Sequence, residues 1–172
     1  MEQVIAELCK RDNYFIFLLG GGKAEKIALR SIARKYKNVV SMAEIKHNFI
    51  DEYALLGKCE LMLTMESANM HLASLVDTQA MTIWGPTSPA CGYLGYHQVV
   101  EDDIQLDMEC RPCSITGDKP CKYGDFPCLK NIKPEYIVQH VIEAVEHNVE
   151  HQTKATKSAI AEKEQKTQDD NK

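Results

Sequence analysis

The residues best ordered for chemistry lie between Leu61 and Pro86, in LMLTMESANMHLASLVDTQAMTIWGP. Leu61, Met62, Leu63 and Met65 form a short apolar run that ends in the polar turn Glu66-Ser67. From Asn69 the apolar positions Met70, Leu72, Ala73 and Val76 recur at helical spacing. A buried strand that turns at a serine into a helix leaves the first-turn N–H groups unpaired beside the strand end, which makes an anion site. Ser67 suits the N-cap. His71, four residues on, falls on the same side of the first turn, although a histidine on a helix is in isolation more often a capping or packing residue than a ligand. Ala68 and Asn69 would add backbone N–H groups.

Three other clusters could do chemistry. Gly20-Gly21-Gly22 joins a strand to a helix, but it is not the GxGxxG pattern. A tight turn and a loop that brings Gly21 against a phosphate are equally good readings of it. Trp84-Gly85-Pro86-Thr87-Ser88-Pro89 ends a strand at the carboxyl edge of a sheet, where open α/β folds place ligands, so Thr87 and Ser88 are candidate contacts. Trp84 reads as core filler. Cys110, Cys113, Cys121 and Cys128 supply four of the seven cysteines within one segment, enough thiolates for a closed tetrahedral zinc site. A zinc ribbon would repeat the CxxC pair, whereas six residues separate the second pair here, so reduced and merely packed thiols are the alternative. Disulfides do not suit a reducing compartment. Cys9, Cys59 and Cys91 read as ordinary thiols.

These residues need strands and helices in alternation to position them, and the sequence supplies the alternation. Helices are predicted over Glu2 to Arg11, Lys23 to Tyr36 (Ile27, Ala28, Ile32 and Tyr36 inward), Phe49 to Lys58 and Asn69 to Val76. Strands are predicted over Tyr14 to Leu19, Val39 to Met42, Glu60 to Met65 and Ala80 to Trp84, with a further one over Gln98 to Glu101. Cys110 to Lys130 reads as an irregular loop. Pro134 opens a helix whose inward stripe is Ile137, Val138, Val141, Ile142 and Val145. The expected class is α/β with one parallel sheet, in a domain spanning 1–147. The polar tail 148–172 is expected to be a frayed helix or disordered.

Apolar residues at 44%, charged residues at 26% and a net charge of −5 describe an ordinary globular chain. The acidic surplus does not favour nucleic acid. No apolar run is long enough for a transmembrane segment, and the start lacks the basic end and apolar run of a signal peptide. A cytoplasmic location is expected.

Glu66-Ser67-Ala68-Asn69-Met70-His71-Leu72-Ala73 resembles the Asp-(Thr/Ser)-(Gly/Ala)-x-x-His-Leu-Ala signature of glycosyltransferase family 9, the lipopolysaccharide heptosyltransferases. FLLGGGKAEK, NVVSM, IWGPTSPACGYLGY and CRPCSITGDKPCKYGDFPC follow in the family's order, so the resemblance runs from Asn13 to His147. It implies a Rossmann-like domain, the C-terminal sugar-donor half of a two-domain GT-B enzyme. The implied reaction is inverting transfer of a sugar from a nucleotide sugar, ADP-heptose, to the lipopolysaccharide core. The acceptor and the general base would belong to a missing N-terminal domain, leaving no catalytic residue in this half. No cofactor is implied for catalysis, and a zinc at the cysteines would be structural. The implied location is cytoplasmic, peripheral to the inner membrane.

On this pattern Ser67, Ala68, Asn69 and His71 hold the nucleotide sugar, with Glu66, Gly21, Thr87 and Ser88 lining its cleft. Glu52 falls where the family carries an acidic ribose contact; a solvated helix face explains Glu52 equally well. Two positions depart from the family. Glu66 stands for the usual Asp, one methylene longer. Asp77-Thr78-Gln79 stands for Gly-Thr-Pro, and an Asp at a left-handed helix end costs on the order of 1 kcal/mol. The alternative reading is therefore a truncated, non-catalytic remnant or binding module with a structural metal loop. A GT-B enzyme using a UDP-sugar is a third.

Overall fold

The computed structural model describes residues 1–169, with side chains as far as residue 158. The order is α1 (Glu2–Leu8), β1 (Ile16–Leu18), α2 (Lys23–Ala33), β2 (Val39–Ser41), α3 (Phe49–Leu56), β3 (Met62–Met65), α4 (Ala68–Ser74), β4 (Ala80–Ile83), α5 (Pro127–Lys130) and α6 (Pro134–Asp169). Both strand pairs are parallel. β1 lies beside β2 with Ile16 opposite Val39, and β3 lies beside β4 with Met62 opposite Ala80.

One continuous sheet was expected, but the ladder stops between β1 and β3. Ile16 N–H bonds Asn38 O, so Ile16 and Leu18 direct their backbone groups toward β2. Phe17 is then the one residue of this three-residue strand that offers an N–H and a C=O to the other edge. Side chains join the two halves instead. Val4 and Leu8 of α1, Met81 and Ile83 of β4, and Ile137 and Val141 of α6 form one core, with Ile16, Leu61 and Leu63 packed against it. The opposite face of β4 buries Ala80 and Trp84 against Met70 and Ala73 of α4. β4 is thus apolar on both sides, as a central parallel strand must be.

Three further expectations are corrected. Ile27 is 70% exposed; the inward stripe of α2 is Leu29, Ile32, Ala33 and Tyr36, and Ile27 sits about 200° of rotation from Leu29. Gln98 to Glu101 is not a strand: Val100–Asp102 is a 3-10 turn. The Gln98 side chain accepts from Ala80 N–H at 2.6 Å and donates to Thr78 O at 3.0 Å, while Ile104 makes the parallel bridge to Ile83. Within the segment read as irregular, Pro127–Lys130 forms α5.

Helix α6 passes the expected boundary at His147 unbroken. Asn148 Nδ2 donates to Glu60 O at 2.9 Å and to Gln79 Oε1 at 2.6 Å, and Gln152 Nε2 donates to Glu60 Oε2 at 2.8 Å. Residues 170–172 of the expected tail lie outside the described residues.

Candidate functional site

Because β3 and β4 run parallel with Met65 opposite Ile83, Glu66-Ser67 and Trp84–Thr87 leave the strands as neighbours. Ser67 is extended, with φ −161° and ψ 174°, and its Oγ accepts from Asn69 N–H at 3.3 Å as the N-cap of α4. Thr64 Oγ1 lies 3.1 Å from the same hydroxyl. Met70 and Ala73 are fully buried beneath the helix, whereas Ser67, Ala68 and His71 are exposed. The short helix is therefore fixed from inside while its first turn faces water. Ala68 N–H, as the first of the helix, has no intrahelical acceptor by geometry. An anion approaching this turn meets an unpaired amide, a hydroxyl and an imidazole.

Thr87 plays a different part from the one the sequence suggests. It is 2% exposed, and its Oγ1–H donates to Glu66 Oε2 at 2.5 Å, so it braces the turn from behind. The longer arm of Glu66 makes that reach. Ser88 accepts from Ala90 N–H at 3.2 Å, capping a 3-10 turn. It also lines a cavity of about 360 Å³ with Gln105, Asp107, Met108 and Arg111.

Gly21 and Glu52 are committed elsewhere. The Glu25 carboxylate accepts from Gly21 N–H at 3.0 Å and Gly22 N–H at 3.2 Å, which holds its own pKa below the usual carboxylate range. Gly21 itself borders open space. Glu52 Oε1 lies 2.6 Å from His47 Nε2, and His47 Nδ1 lies 2.6 Å from Ile45 O. The Ile45 carbonyl and then the Glu52 carboxylate raise the pKa of His47. The structure thus gathers Glu66, Ser67, Ala68, Asn69, His71 and Thr87 around two strand ends. Among the described residues, no hydrogen bond ties Gly21 or Glu52 to that group.

Arg111 is the residue sequence reasoning missed. Its Nε donates to Gly85 O at 2.6 Å, its Nη2 to Thr87 O and Gln105 Oε1 at 3.1 Å each, and its Nη1 to Leu106 O. The backbone N–H groups of Cys113 and Ser114 both donate to Pro86 O. These bonds bind the cysteine segment to the exit of β4. The only sequence signal was an arginine inside C-R-P-C.

Cys110, Cys113, Cys121 and Cys128 are all free thiols, and together they line one cavity of about 200 Å³. As arranged, no group of three or more among the described residues stands close enough to hold a metal ion. Burial raises the pKa of Cys128. Burial also pushes Cys121 upward, but N–H groups of Tyr123, Phe126, Gly124 and Asp125 outweigh it and hold this thiol below its ordinary value.

Comparison with known proteins follows this geometry. The model of glycosyltransferase family 9 (heptosyltransferase) matches residues 2–123. Two lipooligosaccharide heptosyltransferases 2 of Campylobacter jejuni, from serotypes O:6 and O:2, are 27% and 28% identical over 136 and 139 residues. The matches take in 75% and 74% of this chain but 40% of each relative, so the chain spans about two fifths of the length of these curated relatives. E. coli ADP-heptose lps heptosyltransferase II superposes with a TM-score of 0.62 at 16% identity, over 85% of this chain and 40% of that one. An E. coli heptosyltransferase solved with ADP gives 0.58 at 15% identity, over 83% and 38%. At those identities the structures speak for the fold, a Rossmann-like α/β unit of the GT-B kind. The family match covers well over half of the sequence and includes the strand, capped turn and helix described above, and on that basis the chain belongs to glycosyltransferase family 9.

Proposed function

We propose that this chain supplies the sugar-donor half of an inverting heptosyltransferase. It binds an ADP-sugar, ADP-heptose, with the diphosphate against the first turn of α4. The observation that carries this reading is the exposed turn Ser67-Ala68 with His71 beside it, at the carboxyl end of β3 and inside the family match. In the reaction the acceptor hydroxyl oxygen bonds to the anomeric carbon as the bond from that carbon to the diphosphate oxygen breaks. The bonding pair leaves with the nucleoside diphosphate, and the Ala68 amide, the Ser67 hydroxyl and the His71 imidazole stabilise the charge developing there. Asn69 fixes the cap, and Glu66 with Thr87 holds the turn in place. Glu52 contacts the ribose through the carboxylate oxygen that His47 does not engage, and Ser88 and Gly21 face the cleft.

The hydroxyl proton goes to a general base on the part of the enzyme that this chain does not span, which also holds the lipopolysaccharide-core acceptor. No cofactor enters this scheme. Among the described residues no helix is long and apolar enough to cross a membrane. Calorimetry with ADP, followed by amide NMR, tests the assignment. Binding heat with shifts confined to the Ser67 to His71 turn and its neighbours supports it. No heat and unmoved amides at Ser67 and His71 would overturn it.

A further inference from the structure

We propose that Cys110, Cys113, Cys121 and Cys128 close together on one zinc-like, thiol-seeking divalent cation, which pins residues 110–128 against the end of β4. All four thiols line the same cavity, and its remaining lining is Lys119, Pro120, Lys122, Tyr123, Phe126 and Pro127. Neither a carboxylate nor an imidazole takes part in that lining, so the site offers sulfur alone, the choice of a soft ion over calcium or magnesium. The chain also turns back on itself between two of the thiols: Gly124 at φ 82° and Phe126 at φ 54° are left-handed, and Gly124 N–H donates to Cys121 O at 3.0 Å.

Charge points the same way. A divalent ion held by four thiolates keeps two surplus negative charges, and two ammonium groups, Lys119 and Lys122, border the cavity. Beyond its anchor at Arg111, Cys113 and Ser114, the segment has little packing of its own. Between Ile104 and Pro127 there is no helix or strand, and Ile115 and Tyr123 are 66% and 55% exposed rather than packed. As arranged, the sulfurs are too far apart for a closed site, so binding draws them together and releases their protons to solvent. A segment without regular structure can make that adjustment.

The test is a cobalt titration of the full chain, purified anaerobically with reductant and then challenged with zinc. The expected result is about one cobalt per chain, with intense thiolate-to-metal charge-transfer bands and tetrahedral visible bands, both lost on zinc exchange. Labelling of the four thiols should slow by at least about tenfold on loading. Cys9→Ser, Cys59→Ser and Cys91→Ser should leave the spectrum unchanged. Cys121→Ser and Cys128→Ser should weaken cobalt binding by at least about tenfold, and Cys110→Ser and Cys113→Ser repeat the test if burial makes Cys128→Ser unfold. Weak octahedral bands without charge transfer, or cobalt binding undiminished when all four are serine, would overturn the proposal. ADP binding measured on the same samples keeps this result separate from the sugar-donor assignment: lost ADP heat with an intact cobalt spectrum would count against that assignment alone.

Discussion

Ser67 performs two tasks with one oxygen: it caps α4, and it faces the water into which a ligand would arrive. Ser67→Ala is expected to cost about 1 kcal/mol by loss of the cap and to weaken ADP binding at the same time. Denaturant melts and calorimetry on one sample read both. Asp103 makes a separate prediction. Both of its carboxyl oxygens are buried without a partner, as is Trp84 Nε1. Burial pushes its pKa up to about 6, and the nearby indole N–H of Trp84 and backbone N–H of Thr82 pull it only partway back without reaching hydrogen-bond geometry. An acid with a higher pKa in the folded chain takes up protons on folding. Stability should therefore fall as pH rises from about 4 to about 6, with the deficit complete above that window. Asp103→Asn should flatten this slope and stabilise the protein at pH 7 by on the order of 1 kcal/mol, after allowing for solvent screening. Melting temperatures from pH 4 to 7.5 check it; an unchanged slope would refute it. Residues such as Ser67 and Trp84 were legible because a cap or a strand end is a local pattern. Arg111, Glu25, His47 and Gln98 were not, because their partners are backbone groups or carboxylates that no periodicity announces.

Among the elements, the left-handed turn after α4 is the sharpest case. Asp77 has φ 56°, the left-handed conformation expected at this helix end. Asp77→Gly should raise stability by about 0.5–1 kcal/mol, the relief of that strain less the greater freedom of glycine in the unfolded chain. Gly95 shows the reverse: a Cβ there would collide with Ser74 Oγ and crowd Gln98, the side chain that holds the start of β4. Gly95→Ala should destabilise by about 1–3 kcal/mol in the same melts. The inward stripe of α6 was readable because Ile137 and Val141 recur at helical spacing; both are buried. The interruption between β1 and β3 was not readable, since apolar runs say that strands exist but not how far a ladder extends along a three-residue edge.

At the scale of the molecule, the alternation of strand and helix foretold the α/β class, and the polar sequence after Val145 hid how far α6 continues to serve the body. Cutting the chain after His147 should cost about 1–2 kcal/mol, because it leaves Glu60 O and Gln79 Oε1 without the Asn148 amide; chemical denaturation of the two forms measures it. Arg111 joins the two functional regions. Its planar fork meets the carbonyls of Gly85, Thr87 and Leu106 at once, which the single ammonium of a lysine cannot copy. A clasp of this kind works in both directions. Whatever steadies the sulfur side will stiffen the rim beyond β4, and a guest seated at that rim lends its rigidity back to the cysteines.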